Sequence, residues 1–260
     1  MKTYNLGNTN GLKYKDREFA MLNKRYSKIK YRHKKVLKSD EEVICFRQFK
    51  IVYTSKCFYC NAEHSFVLKD INEHDYKTKI SNEIVKCNGI DRINSSRGYT
   101  KSNVVSCCSS CNKAKQEMTT IEFYKYCLTL SGRINNFSMI KNKLKNRTDE
   151  YEISRRYGKT KSRHNELEKR NKYSSDMLSK EEFKKYIFSD CYYCKTNHTA
   201  INLDTGTKFN GLDRLDNSKG YEEGNVITCC VYCNKAKSEL SIKNFYRMIN
   251  RIVKKLTKKK

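Results

Sequence analysis

Eight cysteines set in four Cys-x-x-Cys pairs are the residues of this chain best suited to chemistry. A pair at that spacing forms a knuckle with two thiolates, and two knuckles complete the tetrahedron of soft ligands that zinc takes. Cys57, Cys60, Cys108 and Cys111 make one such set, and Cys191, Cys194, Cys230 and Cys233 make a second. Cys107 and Cys229 recur beside the second knuckle of each set, one residue off the ligand spacing, and read as small buried thiols. His64 and His198 follow the first knuckles; either could replace a thiolate, but both read better as surface or supporting polar groups. Cys45, Cys87 and Cys127 have no counterpart in the other set and read as core.

The knuckles belong to a longer repeat. Residues 88–115 read NGIDRINSSRGYTKSNVVSCCSSCNKAK, and residues 210–237 read NGLDRLDNSKGYEEGNVITCCVYCNKAK, at an offset of 122. Asp, Arg, Tyr, Asn, Cys and Lys are the shared positions, so chemistry was duplicated along with packing. Upstream, Arg-Tyr-x-Lys-x-Lys-x-Arg-His recurs, ending at His33 and at His164, at an offset of 131. The first knuckles stand 134 apart, so the first copy carries about a dozen extra residues, placed within 65–87. The repeat predicts two domains, 1–140 and 141–260, joined through the polar, basic stretch 131–150.

Positioning these side chains requires short elements. Ile90–Ile93 and Asn103–Ser106 read as strands around a Ser-Ser-Arg-Gly turn, and Cys108 opens a helix carrying Asn112, Lys113 and Lys115. Two strands, a loop and a helix would bring Asp91 face to face with Asn112, and Asp213 with Asn234. A carboxylate beside an amide oxygen suits a hard divalent cation, Mg²⁺ or Mn²⁺. Thr119-x-x-Glu122 reads as a capping box for a following helix. With little apolar content, each domain needs a metal to fold, and zinc supplies on the order of 10 kcal/mol per site.

A formal charge of +27, from 55 Lys and Arg against 28 acids, points to a polyanionic partner. No apolar window is long enough to span a membrane. The opening residues Met1–Gly7 lack the apolar core of a secretory signal, so the reading is intracellular and not secreted. Cysteines in such a chain read as metal thiolates rather than disulfides.

The order Asp-Arg, Gly-Tyr, Asn-Val, Cys-x-x-Cys-Asn-x-x-Lys resembles the zinc-decorated HNH endonucleases of the ββα-metal fold. It is most similar to the branch with Asp-Arg in place of Asp-His, which includes small rare-cutting restriction endonucleases, and it covers most of both halves. The resemblance implies an α+β protein of two tandem ββα-metal domains, each stapled by a four-cysteine zinc site, with flanking helices. It implies metal-dependent hydrolysis of DNA phosphodiester bonds, with Asp91 and Asn112, and Asp213 and Asn234, holding one Mg²⁺ or Mn²⁺ per domain. Asn103 and Asn225 would brace the loop between the strands.

Arg92 and Arg214 stand where most of the family has its general base. A guanidinium stays protonated near neutrality, so these would bind the phosphate. The base is then open between Tyr99 and Tyr221, which follow the turn glycines, and His33 and His164 at the ends of the basic segments. Relatives of this branch act as symmetric dimers, so a tandem chain implies a monomeric pseudo-dimer cutting both strands of double-stranded DNA, of restriction or homing type. The alternative is a zinc-scaffolded nucleic-acid-binding protein without catalysis. A structural protein of a ribonucleoprotein or viral particle rests on the charge alone.

Overall fold

Apolar residues at every third or fourth position of the basic segments make helices, and short β-branched runs closed by Asn, Gly and Ser make strands. The computed structural model describes residues 14–69, 83–135, 142–171, 175–195 and 198–258. The chain is mixed α+β with small sheets. It divides into two compact units, Met1–Glu122 with Lys255–Lys260, and Phe123–Lys254. That division lies upstream of the boundary near residue 140 that the repeat suggests. The extra residues of the first copy fall largely on 70–82, which lie outside the described residues, as do 1–13, 136–141 and the final two lysines.

In unit 1, α1 (Tyr14–Tyr31) runs into a π-helical turn (Arg32–Val36) and is followed by α2 (Phe46–Thr54). Two antiparallel pairs follow: β1 (Phe66–Lys69) with β2 (Glu83–Cys87), then β3 (Ile90–Arg92) with β4 (Val104–Ser106). The helix α3 (Ser109–Lys115) and the first turn of α4 (Thr120–Leu130) close the unit. The core gathers Leu22 and Tyr26 of α1, Phe49 and Tyr53 of α2, and Leu68, Val85 and Val104 of the strands.

Unit 2 takes in the rest of α4, then β5 (Asn142–Leu144), α5 (Asp149–Asn171), α6 (Lys180–Phe188), β6 (Ala200–Asn202) and β7 (Lys208–Phe209). It continues with β8 (Gly211–Arg214), β9 (Val226–Cys229), α7 (Val231–Lys237) and α8 (Ile242–Thr257). β5 lies parallel to β6, which pairs antiparallel with β7, and β8 pairs antiparallel with β9. Ile153, Phe183, Ile187, Phe209, Leu212 and Val226 form its core.

One helix start and one hairpin loop are fixed by local contacts. The Thr119 box is formed: Thr119 N–H donates to Glu122 Oε2 at 2.7 Å, and Glu122 N–H to Thr119 Oγ1 at 3.3 Å. The other lies at Gly98, where the His33 ring packs so closely that a Cβ would stand 2.5 Å from its Cε1 and 2.6 Å from its Nδ1. The ring cannot swing aside, because both of its nitrogens are bonded to backbone. Gly98→Ala is therefore expected to cost on the order of 1–3 kcal/mol, the range for an overpacked site, read as a lower urea midpoint. An unchanged midpoint would mean that the ring yields freely.

Candidate functional site

Each knuckle is built the same way. Cys108 caps the start of α3 and its sulfur accepts the Cys111 N–H at 3.4 Å; Cys230 does the same at α7 with Cys233, also at 3.4 Å. Turning the chain around the sulfur in this way points both thiols of a pair to one side. The result is two buried quartets, Cys57, Cys60, Cys108, Cys111 and Cys191, Cys194, Cys230, Cys233, with the sulfurs of each within 4.8 Å of one another. Cys60 and Cys108 are 3.7 Å apart, and Cys194 and Cys230 are 4.0 Å apart. The edge of a tetrahedron with Zn–S bonds of about 2.3 Å is about 3.8 Å, so the spacing fits the ion.

The electrostatics agree. Cys57 is held low by bonds from neighbouring thiols, Cys107 first, and Cys191 likewise, Cys194 first. Cys111 is pushed up by its bond with Cys108, and Cys233 chiefly by burial. Four sulfurs this close can all ionise only around a cation. Both quartets could hold zinc.

Cys107 and Cys229 are buried outside the quartets, each thiol bonded to the carbonyl of the next residue. His64 is exposed, and His198 faces Asp190 at 3.5 Å; neither joins a quartet. Tyr126, on α4, is fully buried and donates its hydroxyl to Cys233 Sγ at 3.3 Å. The 122-residue register places Met248 at the corresponding position of the second copy.

Asp91 points inward from β3. Tyr59 donates its hydroxyl to Asp91 Oδ2 at 2.7 Å, and Lys115 Nζ lies 3.2 Å from the same oxygen. Lys115 also donates to the Arg92 carbonyl at 2.9 Å. The second copy repeats this: Tyr193 donates to Asp213 Oδ2 at 2.6 Å, and Lys237 Nζ lies 3.1 Å away. Both lysine side chains are 0% exposed. Burial pushes the Asp91 carboxyl up, while Lys115 and then Tyr59 pull it back down.

Asn112 of α3 is exposed, whereas Asn234 of α7 donates to the Leu212 carbonyl at 3.0 Å. Instead of the expected Asn, the bonding partners of Asp91 and Asp213 are a buried ammonium and a phenol, neither of which the motif reading gave a role. The available signal was the Tyr common to Cys57-Phe58-Tyr59-Cys60 and Cys191-Tyr192-Tyr193-Cys194, and the last Lys of both Asn-Lys-Ala-Lys runs.

Arg92 and Arg214 brace the loop between the paired strands. Arg92 Nη1 donates to the carbonyls of Ser95 and Arg97 at 2.5 and 2.9 Å; Arg214 Nη1 donates to those of Asn217 and Lys219 at 3.0 and 2.6 Å. Their guanidinium carbons lie 5.2 and 5.4 Å from the ring centres of Tyr99 and Tyr221. Asn103 closes the loop from within, accepting from Asn94 N–H at 2.9 Å and donating to Gly98 O at 2.9 Å. Asn225 does the same with Asp216 and Gly220, at 2.9 and 2.8 Å.

The histidines are placed differently from a general base. His33 Nδ1 accepts the Tyr99 N–H at 2.9 Å and Nε2 meets the Glu41 carbonyl at 2.7 Å; His164 meets Tyr221 N–H and Ser175 O at 3.0 and 3.1 Å. Accepting at Nδ1 and donating at Nε2 specifies the neutral ring and uses its lone pair. His33 and His164 are loop clamps with no lone pair left to take a proton from water. The preceding tyrosines act alike, with Tyr26 and Tyr157 donating to the Ile44 and Leu178 carbonyls at 2.8 and 3.0 Å.

In unit 2 a cavity of about 400 Å³ separates α5 from the β8–α7 block. Arg155, Arg156, Lys159 and Arg163 line it on the α5 side, and Tyr221 and Asn234 line it on the other.

No protein-family model matches the chain, and no solved structure matches it. Among curated proteins, an uncharacterized protein of Acanthamoeba polyphaga mimivirus is 30% identical over 221 residues, covering 83% of this chain and 34% of the relative. The chain therefore spans about a third of the length of that relative. Among the described residues, no helix is long and apolar enough to cross a membrane.

Proposed function

We propose that the chain is a metal-dependent DNA endonuclease of HNH type, with two tandem ββα-metal domains in one chain and a hydrolytic centre in each. The observation that carries this reading is the twofold occurrence of one constellation. A strand Asp, a helix Asn and a loop-braced Arg sit around a hairpin and helix stapled by a four-cysteine cluster, in a chain of net charge +27. Asp91 with Asn112, and Asp213 with Asn234, are the residues to hold Mg²⁺ or Mn²⁺, a carboxylate and an amide oxygen that suit hard cations. Such an ion supplies charge neutralisation at a scissile phosphate and its departing 3′ oxygen. Arg92 and Arg214, anchored to the loop, are fixed for phosphate contact. With His33 and His164 engaged at both ring nitrogens, the proton acceptor falls to Tyr99 and Tyr221.

One observation favours a second reading, a zinc-scaffolded DNA-binding protein without catalysis. Lys115 and Lys237 already neutralise the two carboxylates, so each site carries a cation of its own. The readings diverge on divalent metal. On the first, the native chain linearises supercoiled plasmid with Mg²⁺ or Mn²⁺ and not with EDTA. Asp91→Asn and Asp213→Asn each leave nicked circles, and the double variant, with its zinc content intact, leaves the plasmid supercoiled. Intact plasmid under every metal, with a gel shift retained, selects the second reading.

A further inference from the structure

The α5 wall of the unit 2 cavity is not an ordinary basic helix face. Glu152, whose side chain is 0% exposed, accepts from Arg155 Nε at 2.8 Å, Arg155 Nη2 at 2.6 Å and Arg156 Nε at 2.6 Å, with Arg147 Nη1 at 3.7 Å. A lone buried carboxylate is costly, and removing one partner of such a pair is strongly destabilising. Here three guanidinia surround one carboxylate, so the cluster keeps a net positive charge. Arg156 is further pinned, donating to the Asn210 carbonyl at 3.2 Å, with its guanidinium 5.4 Å from the Phe209 ring centre. From Arg155 the basic row continues at Lys159 and Arg163, one and two turns along the same helix face, both lining the cavity. Arg155 to Arg163 spans about 12 Å, roughly the rise of three to four nucleotides of a strand.

We infer that this cavity seats the phosphates of a DNA strand, and that Glu152 is the positioning residue that organises its arginines. The inference rests on the DNA-binding part of the proposed function and is independent of hydrolysis. A phosphodiester is matched by guanidinia whose planes are already fixed, since less rotamer freedom is lost on binding. Asn234 and Tyr221 on the opposite wall place the seat beside the proposed reaction centre. The 131-residue register puts Met21 where Glu152 stands and Lys24 where Arg155 stands, so the organised wall is assigned to unit 2.

The test turns on a sign. Removing an acid from a DNA-binding surface raises affinity if charge alone matters, whereas removing an organiser lowers it. Binding of the full zinc-loaded chain to a fluorescent DNA duplex is measured in EDTA-free, Mg²⁺-free buffer across a salt series. Glu152→Gln is expected to weaken binding by about tenfold, equivalent to about 1.4 kcal/mol, and to have a smaller effect in an Arg155→Gln background, where only Arg156 and Arg147 remain to be organised. Lys159→Gln with Arg163→Gln should lower the slope of log affinity against log salt by about 0.9 for each phosphate no longer neutralised. The charge-matched pair Lys169→Gln with Arg170→Gln, exposed on α5 outside the cavity, should change it less.

Tighter or equal binding by a folded Glu152→Gln chain overturns the organising role. If that variant does not fold, the Lys159/Arg163 comparison decides, and equality with the Lys169/Arg170 pair overturns the seat. Absence of cleavage by the native chain, with these binding differences intact, would overturn the nuclease reading and leave the seat standing. Preference for an RNA duplex of the same sequence would reassign the strand.

Discussion

Lys115→Met and Lys237→Met are expected to lower the stability of their units by about 3–5 kcal/mol each, the range for leaving one partner of a buried ion pair alone. Each lysine is fully buried against an aspartate that is itself almost fully buried, and neither aspartate can be rehydrated without opening the hairpin. The neighbouring Lys113 is exposed, so Lys113→Met is the control and should fall within about 0.5 kcal/mol of native. Adding Asp91→Asn to Lys115→Met should restore part of the loss, since the orphan charge is then gone. Urea denaturation of the four variants and the native chain measures it, and a Lys115→Met midpoint equal to that of Lys113→Met would refute the buried pair. Asn is chosen over Ala in the cleavage test because its amide oxygen still accepts from the buried ammonium; the counter-charge is lost either way, so each variant's urea midpoint is measured beside its cleavage.

Removing zinc should have a still larger effect. Native mass spectrometry is expected to find two zinc ions per chain, one for each quartet. Chelation, or Cys111→Ser together with Cys233→Ser, should abolish cooperative unfolding by circular dichroism. Zinc binding to sites of this kind is worth roughly 10–16 kcal/mol, as much as the whole net stability of an ordinary domain, about 5–15 kcal/mol. The quartets join the segment after α2 to the start of α3 and the segment after α6 to the start of α7, so their loss frees the helices that carry Lys115 and Lys237 against Asp91 and Asp213. A sharp thermal transition in the zinc-free chain would show instead that the apolar clusters suffice.

The quartets were legible in the sequence because a knuckle is a local code: two residues between thiols are enough to specify the turn. The hairpin and helix were legible for a similar reason, since Asn-Gly, Ser-Ser-Arg-Gly and the second knuckle mark every boundary. Lys115 was not legible as a buried partner, because in Asn-Lys-Ala-Lys both lysines look like solvated charge and only tertiary burial separates them. His33 stands in the sequence as one of two candidate bases, yet both of its ring nitrogens are bonded to backbone. Its position held the correction, since Leu22, Tyr26, Ile29 and His33 recur at spacings of four, three and four, the stripe of a helix face turned to the core. Glu152 was hidden differently, as an acid in a basic helix reads as a surface pair until its side chain is found inside.

Tyr126 bears on how the two copies can still be parted. Unit 2 begins at Phe123, and the phenol bonded to Cys233 lies on the helix that follows the first copy's own Asn-Lys-Ala-Lys run. A gene cut between the repeats at residue 141 would encode a second half lacking that helix, with a zinc sulfur stripped of its donor. A break upstream of Phe123 would keep the donor with its cluster, but it would part unit 1 from Lys255–Lys260.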